Sequence, residues 1–239
     1  AGARDGLAYY VMPFFEGESL RAKLIREGRL TIPDGVRLLC EISDALSCAH
    51  MQGVVHRDIK PENILILGGH AVLADFGIAS ALSGFGADAG KRITNTGMSL
   101  GTVGYMAPEQ ALGEKNVDGR ADIYSLGVVG FEIFAGCQPF VGATDHAVLV
   151  AHLTREPEPL EHFRADTPLA VSVAIRKSLQ KDPASRFQTA LELREALEAS
   201  TSGSALPAPR NADTSLPIRS SLRSRLGELL RALKVDSPS

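Results

Sequence analysis

Apolar positions along this chain follow two rhythms. The run LAYYVMPFF over residues 7–15, broken by Pro13, predicts a strand that ends in a connector. Residues 19–27 read as a short helix after the break Glu16-Gly17-Glu18. Thr31, Pro33 and Asp34 then supply an N-cap hydroxyl, a first-turn proline and an early carboxylate, so a longer helix should start there. Val36, Leu39, Ile42, Leu46 and Ala49 recur at intervals of three and four, drawing one stripe that Gly53 terminates. Val54-Val55, the polar run HRDIKPEN over 56–63 and Ile64-Leu65-Ile66-Leu67 follow. With Ala71-Val72-Leu73-Ala74 beyond Gly68-Gly69, they predict a polar loop held between short strands and then a hairpin.

From Asp75 to Glu109 the periodicity dissolves into Gly, Ser, Thr and Ala, a length of connection that is usually functional or disordered. Residues 122–134 are apolar nearly all round, which predicts a buried helix. Helical patterns recur at 144–154, 168–180 and 189–199. Twelve of the 22 residues from Ser200 to Ser221 are Ser, Thr, Pro or Gly, a linker composition. Residues 222–239 place Leu222, Leu226, Leu229, Leu230 and Leu233 at helical spacing among basic residues. The expected organisation is one domain over 1–199, a linker over 200–221 and a short basic amphipathic segment.

Composition sharpens this only in places. The 239 residues are 44% hydrophobic and 22% charged, which excludes wholesale disorder and a disulfide-stapled miniprotein. The longest uncharged stretch, Ile93 to Pro108, is too short and polar to span a bilayer. A net charge of −3 gives no footprint for nucleic acid. Residues 1–199 carry 19 Lys and Arg against 25 Asp and Glu, and the remainder 6 against 3, so the tail differs in kind. Cys40 and Cys48, eight residues apart on one helix, are separated by about 12 Å and cannot bridge, which fits a reducing, cytoplasmic setting. Cys137 reads as a small core residue. His146 and His152, six apart on one helix, face nearly opposite sides and make no metal pair.

The chemistry lies in residues 56–77. Asp58 is a carboxylate able to accept a hydroxyl proton, Lys60 a cation two residues on, and Asn63 an oxygen ligand for a hard cation such as magnesium. Across the hairpin, Asp75-Phe76-Gly77 brings a second oxygen ligand to the neighbouring strand. A base, a cation and two metal-binding groups are what phosphoryl transfer needs, because that reaction depends on positioning and charge neutralisation.

His56-Arg57-Asp58 with Asn63, then Asp75-Phe76-Gly77, then Ala107-Pro108-Glu109 resembles the protein kinase family, in the right order, and specifically the bacterial, eukaryotic-like (Hanks-type) serine/threonine kinases. Gly101-Thr102-Val103-Gly104-Tyr105, the run from Asp122 to Gly127 and Lys181-Asp182-Pro183 with Arg186-Phe187 extend the likeness over residues 7–199. The resemblance implies an α+β fold, mainly α here: the large C-terminal lobe of a kinase with its hinge, most of the small β lobe missing. It further implies transfer of the ATP γ-phosphate to Ser or Thr of protein substrates.

Position by position, the resemblance makes Asp58 the catalytic base, Lys60 the cation steadying the transferred phosphate, and Asn63 and Asp75 the magnesium ligands. Thr102 would bond Asp58 and Lys60 and, with Lys60, point to Ser/Thr acceptors. Met12 would be the gatekeeper, Pro13 and Phe15 the hinge backbone that meets adenine, and Leu65 the floor beneath it. Glu109 and Arg186 would form a buried ion pair, Asp122 would brace the loop, and His56 would be structural. Arg57 would await a phosphate, with Thr94 and Thr96 as regulatory autophosphorylation sites.

The family's glycine-rich loop and V-A-I-K lysine do not occur ahead of the hinge, so the sequence reads as N-terminally truncated and, by itself, a poor ATP binder. A non-catalytic scaffold and a small-molecule phosphotransferase of related fold are the alternatives. The first meets an intact Asp58, Asn63 and Asp75, and the second a segment, 101–109, suited to presenting a protein. Homodimerisation of the intact enzyme and membrane-surface contact by the tail are left open, a frayed terminus being the plain reading of the tail.

Overall fold

The structure, a computed structural model, describes residues 2–4, 7–9, 17–75 and 103–199. It contains two small antiparallel sheets and seven helices among those residues. Strands β1 (Gly2–Arg4) and β2 (Leu7–Tyr9) pair with each other. β3 (Glu18–Ser19), β4 (Ile64–Leu67) and β5 (His70–Leu73) form the second sheet, with β4 in the centre. Gly68 and Gly69 make the β4–β5 turn at φ 57° and 87°, backbone that a side chain would strain. The hairpin starts one residue earlier than the apolar run suggested, at His70. Val54-Val55 is not a strand: the chain leaves its helix irregularly, with the Val54 amide on the Ala49 carbonyl at 3.0 Å.

Helix α1 (Leu20–Glu27) is capped by Ser19, whose hydroxyl accepts from the Ala22 amide at 3.2 Å. Helix α2 (Ile32–Met51) opens on Thr31, whose hydroxyl accepts from the Asp34 amide at 3.2 Å. Val36, Leu39, Ile42 and Leu46 are buried along its inner face. Its outer face grips the hairpin: the Ala71 amide donates to Glu41 Oε2 at 2.6 Å, and Arg37 donates to the Gly69 carbonyl.

A four-residue helix, α3 (Pro108–Ala111), precedes α4 (Gly119–Ala135), in which every residue from Ala121 to Phe134 is buried. Around α4 pack α2, α3, α6 (Leu169–Ser178) and α7 (Ala190–Ala199), while α5 (Asp145–Thr154) packs on α3 and on the turn at Val103–Tyr105. Close approach of α2 and α4 requires Gly35, where a Cβ would lie 2.4 Å from Phe134 Cε1. A helix buried all round forces its polar side chains, Asp122, Ser125 and Glu132, to find partners inside the protein. Those partners build the site.

Cys137 departs from the sequence reading. It is exposed, beyond the α4 cap Gly136, and partial burial pushes its thiol up, so it is neither core nor activated nucleophile. All three cysteines are free. Among the described residues no helix is long and apolar enough to cross a membrane. The tail, residues 200–239, lies outside the described residues.

Candidate active site

Residues 54–63 run from the end of α2 to β4 without regular structure until the 3₁₀ turn Pro61–Asn63. Such a loop needs external partners for its backbone. Asp122, on the first turns of α4 and fully buried, supplies them: its Oδ2 accepts from the His56 amide at 2.8 Å and its Oδ1 from the Arg57 amide at 2.7 Å. His50, in the last turn of α2, meets Oδ2 through Nε2 at 2.8 Å. The sequence reading gave His50 no role; its signal is a histidine in the helix turn just before the polar loop.

His56 is itself buried, with Nε2 on the Ala74 carbonyl at 2.9 Å. A carbonyl only accepts, so Nε2 carries the proton and Nδ1 accepts from the Asp58 amide at 3.3 Å. The ring thus ties the 56–58 backbone to the residue before Asp75. Arg57, at φ 68°, is exposed, and its carbonyl accepts from Gln110 Nε2 of α3 at 2.9 Å.

Asp58 projects between two groups. Lys60 Nζ lies 2.8 Å from its Oδ2, and Asn63 Nδ2 donates to the same oxygen at 3.0 Å and to the Asp58 carbonyl at 2.8 Å. These bonds fix the orientation of the Asn63 amide, with Nδ2 toward Asp58 and Oδ1 as the atom able to meet a cation. The Ala74 amide donates to the Asn63 carbonyl at 2.8 Å, which continues the β4–β5 register of Ile64 opposite Leu73. Asp75 is the next residue, exposed, at φ 59°. The hairpin therefore brings the Asn63 and Asp75 backbones to one end of the sheet. Leu65 is half-buried on β4, opposite Val72. Asn63 Oδ1 and the Asp75 carboxylate are the oxygen groups that could hold magnesium, which keeps waters and substrate phosphates among its ligands. Among the described residues no group of three His, Cys, Asp or Glu side chains gathers as a metal cage.

The segment after residue 102 is anchored just as closely. Ser125 of α4 donates to the Tyr105 carbonyl at 2.7 Å. Glu109 accepts both Arg186 terminal nitrogens at 2.7 Å. Arg186, 2% exposed, also donates to the carbonyls of Gln180, Arg120 and Lys181 at 2.7, 2.8 and 3.1 Å, which uses all five of its N–H groups.

A second charged cluster, unread in the sequence, lies beside the loop. Arg21 of α1 donates to Glu62 Oε1 at 2.8 Å, to Glu132 Oε1 at 2.7 Å and to the Tyr105 hydroxyl. Burial opposes the Arg21 charge, but the bonds to Glu132 and Glu62 override it and raise its pKa. Burial, followed by the Glu132 charge, pushes the Tyr105 phenol up, so it stays neutral. Six candidate residues, Met12, Pro13 and Phe15, read from the sequence as hinge, together with Thr94, Thr96 and Thr102, lie outside the described residues.

A loop that carries an oriented carboxylate, a lysine and an amide is thus pinned to a buried helix, beside a hairpin that ends at Asp75. The family model for the protein kinase domain matches residues 3–198, and this chain belongs to that family. Among curated relatives, serine/threonine-protein kinase PknB of Mycolicibacterium smegmatis is 39% identical over 205 residues, covering 85% of this chain and 32% of that protein. Serine/threonine-protein kinase PknA of Mycobacterium tuberculosis is 41% identical over 203 residues, covering 84% and 45%. The solved Mycobacterium tuberculosis PknI kinase domain superposes with a TM-score of 0.60 at 25% identity, covering 79% of this chain and 64% of that one. The chain thus spans less than half the length of these curated relatives.

Proposed function

We propose that these residues form the hinge and large lobe of a serine/threonine protein kinase that transfers the ATP γ-phosphate to Ser or Thr hydroxyls of proteins. The observation that carries the reading is Asp58, held by Lys60 and Asn63 on a loop whose backbone is fixed by Asp122. An oriented carboxylate accepts the proton of the attacking hydroxyl, and Lys60 neutralises charge on the transferring phosphate. Asn63 and Asp75 are the residues that would hold magnesium, which when bound screens the phosphate oxygens. The relatives' printed names, with Lys60 and Thr102 in the sequence, support Ser/Thr acceptors.

Met12, Pro13, Phe15 and Leu65 are proposed to contact adenine. Thr94 and Thr96 are proposed as autophosphorylation sites answered by Arg57, a cation suited to a phosphate. The 239 residues alone carry no glycine-rich phosphate loop ahead of the hinge and should bind ATP weakly.

The test uses the protein expressed from its complete reading frame. Asp58→Asn should lower phosphate transfer from labelled ATP by about 10³-fold or more, the scale of losing a base from a coupled site, with the thermal unfolding midpoint unchanged. Phosphopeptide mapping of the active protein should find label at Thr94 and Thr96. Transfer by Asp58→Asn at the wild-type rate contradicts the catalytic reading. A map lacking both threonines contradicts the regulatory one alone.

A further inference from the structure

Lys181, half-buried on the stretch between α6 and α7, is a cation surrounded by rings. Its Nζ sits 4.0 Å from the centre of the Phe140 ring and 5.6 Å from that of Tyr124, and it donates to the Tyr124 hydroxyl at 3.3 Å. Among the described residues no carboxylate forms an ion pair with it. Glu156, exposed just beyond α5, acts on it only through space. Arg186 brings a like charge to the same ring, its Cζ 4.8 Å from the Tyr124 centre, and keeps Glu109 for itself. Other lysines are better neutralised: Lys60 has Asp58 and Lys23 has Glu27.

We propose that Lys181 is a site of covalent acylation, its amine attacking the carbonyl carbon of an activated acyl donor of the acyl phosphate class. The Nζ–C bond forms and the bond from that carbon to the phosphate oxygen breaks. Phosphate leaves with the electron pair, the nitrogen gives its proton to water, and a neutral amide remains. Only the uncharged amine is a nucleophile, and a lysine in an apolar setting without a counter-charge reaches that form most easily. Burial lowers the Lys181 pKa to about 8; Glu156 works against the shift and Arg186 adds to it. At pH 7.5 about a quarter of such a group is amine, against about one part in a thousand for a lysine at the usual 10.5. Tyr124 suits both forms, since its hydroxyl accepts from an ammonium and can donate to an amine lone pair. His152 Nδ1, 2.9 Å beyond that hydroxyl, accepts or donates according to its tautomer. The acyl group would sit on the stretch whose carbonyls, at Gln180 and Lys181, hold Arg186 and through it Glu109.

The experiment incubates the full 239-residue chain with acetyl phosphate and follows acetylation of each lysine by mass spectrometry of its peptides. Lys177 is the internal reference: it is exposed and lies over the Phe187 ring at 4.2 Å, so it shares the ring contact without the burial. At pH 7.5 Lys181 should react about tenfold faster than Lys177 or more, a lower-pKa amine being a weaker nucleophile and so giving back part of its advantage in amine fraction. The Lys181 rate should level off above about pH 8, while that of Lys177 keeps rising toward pH 10. In urea that unfolds the chain the two rates should become equal within about threefold, because the fold and not the neighbouring sequence sets the difference. Lys181 reacting no faster than Lys177 in the folded chain overturns the proposal. So does an excess that survives in urea, or a Lys181 rate that rises in parallel with that of Lys177 up to pH 10. No phosphate transfer by the protein enters the readout, so the outcome is independent of the kinase reading.

Discussion

Single side chains here are fixed by what burial demands of them, and His152 shows the consequence for acid stability. It is fully buried on α5, with Nδ1 2.9 Å from the Tyr124 hydroxyl and its ring against Phe140 at a centroid distance of 4.8 Å. Burial, and then the nearby Lys181 charge, lowers its pKa to about 3. The unfolded chain protonates this histidine below about pH 6.5, whereas the folded protein does so only near pH 3. Between those values unfolding takes up a proton, so acid weakens the fold. Urea unfolding at pH 7 and pH 5 should show a loss of about 2 kcal/mol from this group, absent in His152→Asn. An identical pH dependence in the variant contradicts the account. The sequence reading rightly separated His146, exposed, from His152, but the alternation of helix faces could not say which would be buried. Cys137 illustrates the opposite error. Free cysteine is usually a small buried residue, which suggested core, yet Cys137 follows Gly136, which turns the chain out of α4 at φ 78°.

Elements are joined by polar pairs whose value depends on both members. The Glu109–Arg186 pair fastens α3 to the stretch between α6 and α7, with the Glu109 side chain 8% exposed and the Arg186 side chain fully buried. Removing one member leaves a buried charge alone: Glu109→Ala or Arg186→Met should each cost about 3–5 kcal/mol in urea unfolding. The double replacement should cost less than the sum of the two. Additive single costs contradict the pairing. Helices α2, α4, α5, α6 and α7 were legible because each carries a long apolar pattern, reinforced in α2 and α5 by the caps Thr31 and Thr144. The two-residue β3 was not, since Glu18–Ser19 has no apolar pattern and becomes a strand only because β4 lies beside it. Nor was the irregular path at Val54-Val55, where β-type residues meet no partner strand among the described residues and the Val54 amide turns back on α2.

At the scale of the molecule, one buried helix organises everything near the site. α4 offers Asp122 to the 56–57 backbone, Ser125 to the 103–105 turn and Glu132 to Arg21, so the loop, the segment after it and α1 share one rigid support. The residues of that support were half legible. Asp58, Lys60, Asn63 and Asp75 stand out because phosphate chemistry selects their residue types and their order resembles that of the kinase family. His50, Glu62 and Arg21 do not, because their partners are 72, 41 and 111 residues away and only the folded chain brings them together. The central claim is that this support serves phosphate transfer to protein hydroxyls. The measurement that tests it most directly is phosphoamino-acid analysis after incubating the protein, expressed from its complete reading frame, with γ-labelled ATP, magnesium and a general protein substrate. The account predicts label in phosphothreonine and phosphoserine. Label confined to a small molecule, or none in protein while the fold is intact, contradicts it.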